Sequence, residues 1–366
     1  MKITIVTTTI HVPKLLKEYT DNAKKYHHRD LDCIVIGDKK TPTEAGSFCA
    51  QLSKDSGYRI EYLDVAQQET YMKKYPELNS HLVYNSIQRR NIGILKAYEQ
   101  GAEAVITIDD DNFFSAGDFV GGHVRVLGKK SAFRSVASTT GWFNVCSTLH
   151  DEMEQPFYHR GYPMKQRWNS AESKATWAKT EARTVVNAGF WLETPDVDAI
   201  THMHKPLNVV RYEMNENFVL TPGTWCPFNS QNTALHRDVI PAYFLSPYIG
   251  RYDDIWAAYV IMAIANHLDD AVSYGHPLVV QKRNPHNYYK DIEAERLGTL
   301  LTDRLCDWLR TIAFTGTTYA QCFSEMIPAL HTEIERHRTD CTEEELAYLS
   351  KFVEGLKVWG KTIGKV

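Results

Sequence analysis

Three consecutive carboxylates, Asp109-Asp110-Asp111, follow the apolar run Val105-Ile106-Thr107-Ile108 and precede Asn112. A short β-branched run reads as a buried strand, so the three acids stand at its carboxyl end. Like charges so close repel one another unless a cation or a basic group answers them. In an extended chain alternate side chains share a side, which puts Asp109 and Asp111 together as oxygen ligands for a hard divalent cation. Such a cation can bridge phosphate oxygens. The competing reading is a solvated acidic turn.

Upstream, Gln88-Arg89-Arg90-Asn91-Ile92-Gly93 opens the helix that leads into this strand. A guanidinium answers a diphosphate or a base with a fixed fork of hydrogen bonds, which makes Arg89 and Arg90 candidates for holding a nucleotide. Alone the pair would read as a basic surface turn. Gly93 lets the helix pack closely. A third segment, Gly250-Arg251-Tyr252-Asp253-Asp254-Ile255-Trp256, leads into the longest apolar stretch, Ile255 to Ala265. Acids in a helix's first turn are stabilised by its dipole. The functional alternative makes one of them a general base for a hydroxyl, Asp254 ahead of Asp253.

The histidines are less informative. His202-Met203-His204 places two imidazoles at i and i+2, which face apart on a helix, so a structural or surface role is expected. His276 and His286 are each candidates for a third metal ligand, with no spacing that favours either. The Trp-rich segment from Trp142 to Trp191 reads as core, with stacking of a base or sugar as the alternative.

Positioning these residues requires an alternation of strands and helices. Ile3 to Val6 reads as a strand running into Thr7-Thr8-Thr9, Lys14 to Tyr26 as a helix, and Asp32 to Ile36 as a buried strand closed by Gly37-Asp38. A strand at Arg59 to Leu63, a helix from about Ser86 to Gln100 and the strand Ala104 to Ile108 follow. That order predicts an α/β fold with a parallel sheet and helices on both faces. Ligands of such sheets bind beyond the carboxyl ends of the strands, which adds Thr7, Thr9 and Asp38 to the candidate ligand-binding residues. From Gly117 to Trp191 the pattern is irregular, and Pro-rich turns follow to Pro247. A strong helix returns at Arg251 to His267. From Ala294 onward the chain is mainly helical, with Thr342 and Glu345 spaced as a capping box for the last helix.

Composition sets the class. The 366 residues are 43% hydrophobic and 23% charged, which suits a globular protein and excludes disordered or collagen-like chains. The formal net charge of −4 provides no basic field for nucleic acid. The seven cysteines include no Cys-x-x-Cys pair and read as reduced thiols in a cytoplasmic protein. No stretch has the roughly 20 apolar residues of a membrane span, and the N-terminus does not read as a secretory signal.

A triple aspartate after a buried strand, an Arg-Arg-Asn helix start before it and an acid pair ahead of a buried helix together resemble the GT-A glycosyltransferase arrangement. More closely, the chain resembles the reversibly glycosylated polypeptide family, which includes plant UDP-arabinopyranose mutases. Four stretches carry the likeness: Ile108-Asp109-Asp110-Asp111; Arg160-Gly161-Tyr162-Pro163 with Arg167; Gly189-Phe190-Trp191-Leu192-Glu193-Thr194-Pro195-Asp196-Val197-Asp198-Ala199; and Gly250 to Trp256. Asn284-Pro285 adds weaker support, and Cys226-Pro227-Phe228-Asn229-Ser230-Gln231-Asn232 is more polar than the family's run there. The resemblance implies a GT-A fold over residues 1–290, Rossmann-like with a mostly parallel sheet flanked by helices, and a C-terminal helical extension over 291–366. It also implies a UDP-sugar and Mn2+ or Mg2+ at the triple aspartate; the strand ends and the Arg-Arg start then make Thr7, Thr9, Asp38, Arg89, Arg90, Asp109 and Asp110 the candidates for binding the nucleotide sugar, and Asp109 and Asp111 those for the metal. Arg160 matches an arginine that family members glycosylate, and Arg167 a second functional arginine.

The leading expectation is therefore a metal-dependent glycosyltransferase. The cation would neutralise the leaving diphosphate, Arg89 or Arg90 would assist, and Asp254 would deprotonate an acceptor hydroxyl. The alternative is a UDP-pyranose/furanose mutase needing no external acceptor. A non-catalytic partner subunit is the third reading, and it would predict decayed carboxylates, which are intact here. The sugar, the small-molecule or carbohydrate acceptor and assembly into a homo-oligomer are left open.

Overall fold

The first four strands form where β-branched, apolar residues predict them: β1 (Ile3–Thr8), β2 (Leu31–Ile36), β3 (Arg59–Leu63) and β4 (Ala104–Ile108). The computed structural model describes residues 1–169, 172–284 and 286–366, so Pro285 of the Asn284-Pro285 pair lies outside the described residues. These four strands are parallel in the order β3-β2-β1-β4. The order reverses between β1 and β4, a switch point that opens a crevice at the carboxyl ends of the strands. Gly93 sets how closely the helix Arg90–Glu99 approaches this sheet: a Cβ there would lie 2.6 Å from Val6 Cγ1 and 3.2 Å from Ile36 Cγ1.

Beyond β4 the sheet becomes mixed. β5 (Asn112–Phe114), β6 (Lys130–Ser138), β7 (Leu149–Asp151), β8 (Ala175–Glu193), β9 (Val209–Tyr212), β10 (Phe218–Leu220), β11 (Asn232–His236) and β12 (Asp270–Gln281) complete twelve strands among the described residues. β11 is antiparallel to β4 and β8, while β8 runs antiparallel to β6 and parallel to β12. β6 and β8 replace the irregular chain expected between Gly117 and Trp191. The arm Ala175–Arg183 of β8 contains no buried residue, so no apolar alternation announces it. Trp142 and Trp191 are core, as expected, and neither lines the cavity described below.

The apolar stretch after Asp254 is the helix Asp253–His267, buried on all sides as far as Ala265, as a helix apolar all round must be. The C-terminal helices Tyr288–Thr311, Tyr319–Arg336 and Glu343–Ile363 close over it. Trp256 meets Phe352 edge-on at 4.8 Å between ring centroids, and its Nε1 donates to Thr302 Oγ1 at 2.9 Å. Thr342 and Glu345 form the expected capping box. The 290/291 boundary falls in the first turn of the helix Tyr288–Thr311. The architecture is the expected α/β fold, here four parallel strands continued by a mixed sheet and flanked by helices, with a C-terminal helical extension. All seven cysteines are unpaired thiols, and among the described residues no helix is long and apolar enough to cross a membrane.

Candidate active site

The strand ends at the switch point, the start of the helix Arg90–Glu99 and the segment before Asp253–His267 enclose a cavity of about 510 Å³. Thr9, Asp38, Arg89, Arg90, Asp109, Asp110, Asp111, Arg160, Asp253 and Asp254 all line it. Residues from six distant parts of the sequence thus converge on one space.

The triple aspartate is not extended. Asn112 N donates to Asp109 O at 3.3 Å, closing a turn, and the three side chains fan out to different partners. Asp109 meets the buried guanidinium of Arg90, Asp110 Oδ2 accepts from Thr9 Oγ1 at 2.8 Å, and Asp111 Oδ2 accepts from Asn284 N at 3.4 Å. Arg90 also donates to Ser230 O at 3.0 Å and to Ser230 Oγ at 2.8 Å, so it ties β4's end to the segment before β11. Burial, then the charge of Asp109, pushes Asp111 up to about 7. Burial raises Asp109 as well, against the pull of Arg90.

Carboxylates that burial drives toward holding protons suit a divalent cation, which takes the protons' place. Mg2+ and similar ions are held by one or two carboxylates, with waters and phosphate oxygens completing the shell. Asp109 and Asp111 both line the cavity and are the carboxylates that would hold such an ion, but the turn removes the strand alternation expected to bring them together. Among the described residues no three His, Cys, Asp or Glu side chains gather as a complete protein cage. His286 lines the cavity with Nδ1 2.9 Å from Asp291 Oδ2, whereas His276 packs against Tyr212 away from it. His202 stacks on Tyr288, within the short helix Ala199–His204.

Arg89 is clamped by Gln68 Oε1 at 2.7 Å and lies 4.2 Å over the Tyr84 ring; its buried Nη2 has no partner among the described residues. Asp38 Oδ2 accepts from Ser86 N at 3.2 Å. Thr7 is a correction. Alternation along β1 turns it away from the cavity, its hydroxyl donates to Thr8 O at 3.3 Å, and Thr8 lines the cavity instead.

Arg160 sits between two buried carboxylates. Its Nε and Nη2 donate to Asp196 Oδ1 and Oδ2 at 2.9 and 3.0 Å, Nη2 also reaches Asp254 Oδ1 at 3.1 Å, and Nη1 donates to Arg251 O. Burial opposes its charge, but Asp196 and Asp254 outweigh that and hold the guanidinium well above its ordinary value. Asp254 Oδ2 further accepts from Ser230 N at 3.0 Å and Ser230 Oγ at 3.2 Å. Its neighbour Asp253 accepts from Gln88 Nε2 at 2.7 Å and is pushed up to about 7 by burial and by the charge of Asp254.

Arg167 is a second correction. It does not line the cavity: its Nη1 donates to Asp198 Oδ2 at 2.6 Å and its Nε to Tyr162 O at 3.2 Å, bracing the Arg160 turn. Asp198 also caps the helix Ala199–His204, its Oδ1 accepting from Thr201 N at 2.8 Å.

Sequence reasoning did not assign roles to Asp196, Asn229, Ser230, Gln231, Arg251 or Arg283, all of which line the cavity. The polar run Asn229-Ser230-Gln231 was visible as an interruption of apolar sequence. Asn229 Nδ2 donates to Asp196 Oδ2 at 2.7 Å, so this run furnishes donors to the carboxylates around Arg160.

The reversibly glycosylated polypeptide family model matches residues 2–362. UDP-arabinopyranose mutase 1 of Arabidopsis thaliana is 29% identical over 231 residues, 61% of this chain and 60% of its own length. UDP-arabinopyranose mutase 1 of Oryza sativa subsp. japonica is 34% identical over 228 residues, 60% of this chain and 58% of its own. The chain therefore spans about three fifths of the curated relatives it matches. A solved mannosyltransferase from Pyrobaculum calidifontis, in complex with GDP-Man and Mn2+, aligns over 100% of this chain and 74% of its own at 10% identity. Its TM-score of 0.37 is too low to bear on the fold or the chemistry. With matching extending over nearly its whole length, the chain belongs to the reversibly glycosylated polypeptide family.

Proposed function

We propose that the chain binds a UDP-sugar in this cavity and interconverts its pyranose and furanose forms. One observation carries the choice of isomerisation over transfer. The carboxylate expected to deprotonate an acceptor hydroxyl, Asp254, is engaged with Arg160 at 3.1 Å and with Ser230, groups of the chain itself. The mutase relatives support the same choice.

When bound, Mn2+ or Mg2+ at Asp109 and Asp111 supplies positive charge to the diphosphate. The resting Arg160 guanidinium is protonated and not nucleophilic, so a proton must leave as its nitrogen bonds to the anomeric carbon, and Asp254 is placed to take it. The bond from that carbon to the diphosphate oxygen breaks with its electron pair leaving on UDP. The lone pair of the new N-glycoside then expels the ring oxygen, which is protonated. A different sugar hydroxyl adds to the anomeric carbon, its released proton balancing the one taken up by the former ring oxygen, and UDP displaces Arg160, whose nitrogen takes its proton back from Asp254. No atom is gained or lost over the cycle.

Intact-mass measurement after quenching with UDP-sugar and Mn2+ tests this route. The expected result is one glycosyl adduct, mapped to Arg160 and removed by excess UDP. Continuing UDP release with no adduct would return the reading to transfer onto a separate acceptor.

A further inference from the structure

The first helix of the C-terminal extension presents two acids to the cavity rim. Glu295, only 3% exposed, accepts from Arg251 Nε at 2.8 Å through Oε1 and from Ala199 N at 2.8 Å through Oε2. Asp291 lies between two guanidiniums, with Oδ1 3.8 Å from Arg251 Nη1 and Oδ2 3.6 Å from Arg283 Nη2. These separations exceed hydrogen-bond distance, so Asp291 acts on both forks by charge, while Arg283 Nη1 meets His202 Nε2 and its Nη2 lies 3.4 Å from His286 Nδ1. The approach depends on Gly250: its φ is +57°, and a Cβ there would lie 2.6 Å from Ala294 O.

Arg251 and Arg283 both line the cavity. Arg283 is carried to the triple aspartate by β12, whose Gln281 pairs with Asn112. Lys282 N donates to Asp111 O at 3.3 Å and Asn284 N to Asp111 Oδ2 at 3.4 Å, on either side of Arg283. Asp291 and Glu295 hold both guanidiniums at this one rim, where planar forks match phosphate oxygens.

We propose that Arg251 and Arg283 clamp the diphosphate of the nucleotide sugar, and that Asp291 and Glu295 are positioning residues for the two forks. The C-terminal extension is then part of the site. This rests on the nucleotide-sugar reading above.

Calorimetry with UDP and with uridine as the phosphate-free control, in excess Mn2+, separates the two claims. Arg251→Gln and Arg283→Gln are each expected to weaken UDP about 10–100-fold, the worth of a charge-assisted hydrogen bond or two, and to leave uridine within about twofold. Glu295→Gln is expected to weaken UDP less, and to have no further effect in the Arg251→Gln background, because it acts through that arginine. Parallel loss of UDP and uridine binding would assign these residues to structure and overturn the clamp. Unchanged UDP affinity in both arginine variants would overturn it while leaving the nucleotide-sugar reading intact. A parent chain that binds no UDP would overturn both.

Discussion

The guanidinium of Arg160 donates to Asp254 at 3.1 Å although 94 residues of chain separate them, and the same guanidinium is forked onto Asp196 at 2.9 and 3.0 Å. One buried cation thus pairs with two buried carboxylates. Ser230 and Asn229 supply the remaining donors, so the cluster is satisfied only while all members are present.

Removing the cation exposes the cost. Arg160→Ala is expected to lower stability at pH 7 by about 3–5 kcal/mol, as breaking a buried ion pair does, with Asp196→Asn in the same chain recovering part of it. Chemical denaturation of the single and double variants measures this. Arg160→Lys should hold the fold better but lose nearly all activity, since a point charge cannot fill both forks. A stable and active Arg160→Ala would remove the residue from both roles.

Asp253 makes stability depend on pH. Burial, followed by the charge of Asp254, places its proton affinity near pH 7, while an unfolded aspartate titrates near 4. Between those values the native state holds more protons than the unfolded chain, so this group lowers stability progressively as pH rises from about 4 to 7. Asp253→Asn keeps an acceptor for Gln88 and abolishes the penalty. Its melting temperature should exceed the parent's at pH 8, by on the order of 5 °C, and approach it near pH 4. Equal melting temperatures at pH 8 would show that Asp253 ionises without penalty.

What the sequence made legible was local. Asp109-Asp110-Asp111 is announced by the apolar strand that it ends, and Gly93 by the helix pattern around it. The outer arm of β8 was hidden because Ala175–Arg183 buries nothing and so lacks the alternation that marks a strand. Thr7 failed by a single position, since a strand's last residues choose opposite faces. Arg167 matched a family motif, yet its partner Asp198 lies 31 residues on, and only the fold shows that this acid takes the guanidinium away from the cavity. Asp196 and Arg283 could not be assigned from local pattern, because their roles exist only once β8 and β12 lie side by side.

The metal claim rests on Asp111. Asp111→Asn removes one charged ligand with little change of shape. It should weaken UDP binding in Mn2+ by about 10–100-fold, a range that even outer-shell metal partners reach. With a chelator present, parent and variant should bind UDP equally. Calorimetry in the two buffers checks this, and equal affinity in Mn2+ would place the cation elsewhere.

The central claim is ring isomerisation, and the most direct measurement follows the sugar itself. The parent chain is incubated with a UDP-pyranose and Mn2+, and the ring form of the nucleotide sugar is read by proton NMR while free UDP is quantified. The account predicts that a UDP-furanose appears and reaches equilibrium with the pyranose, with free UDP no greater than the enzyme present. Steady accumulation of UDP with the remaining nucleotide sugar entirely pyranose would contradict it.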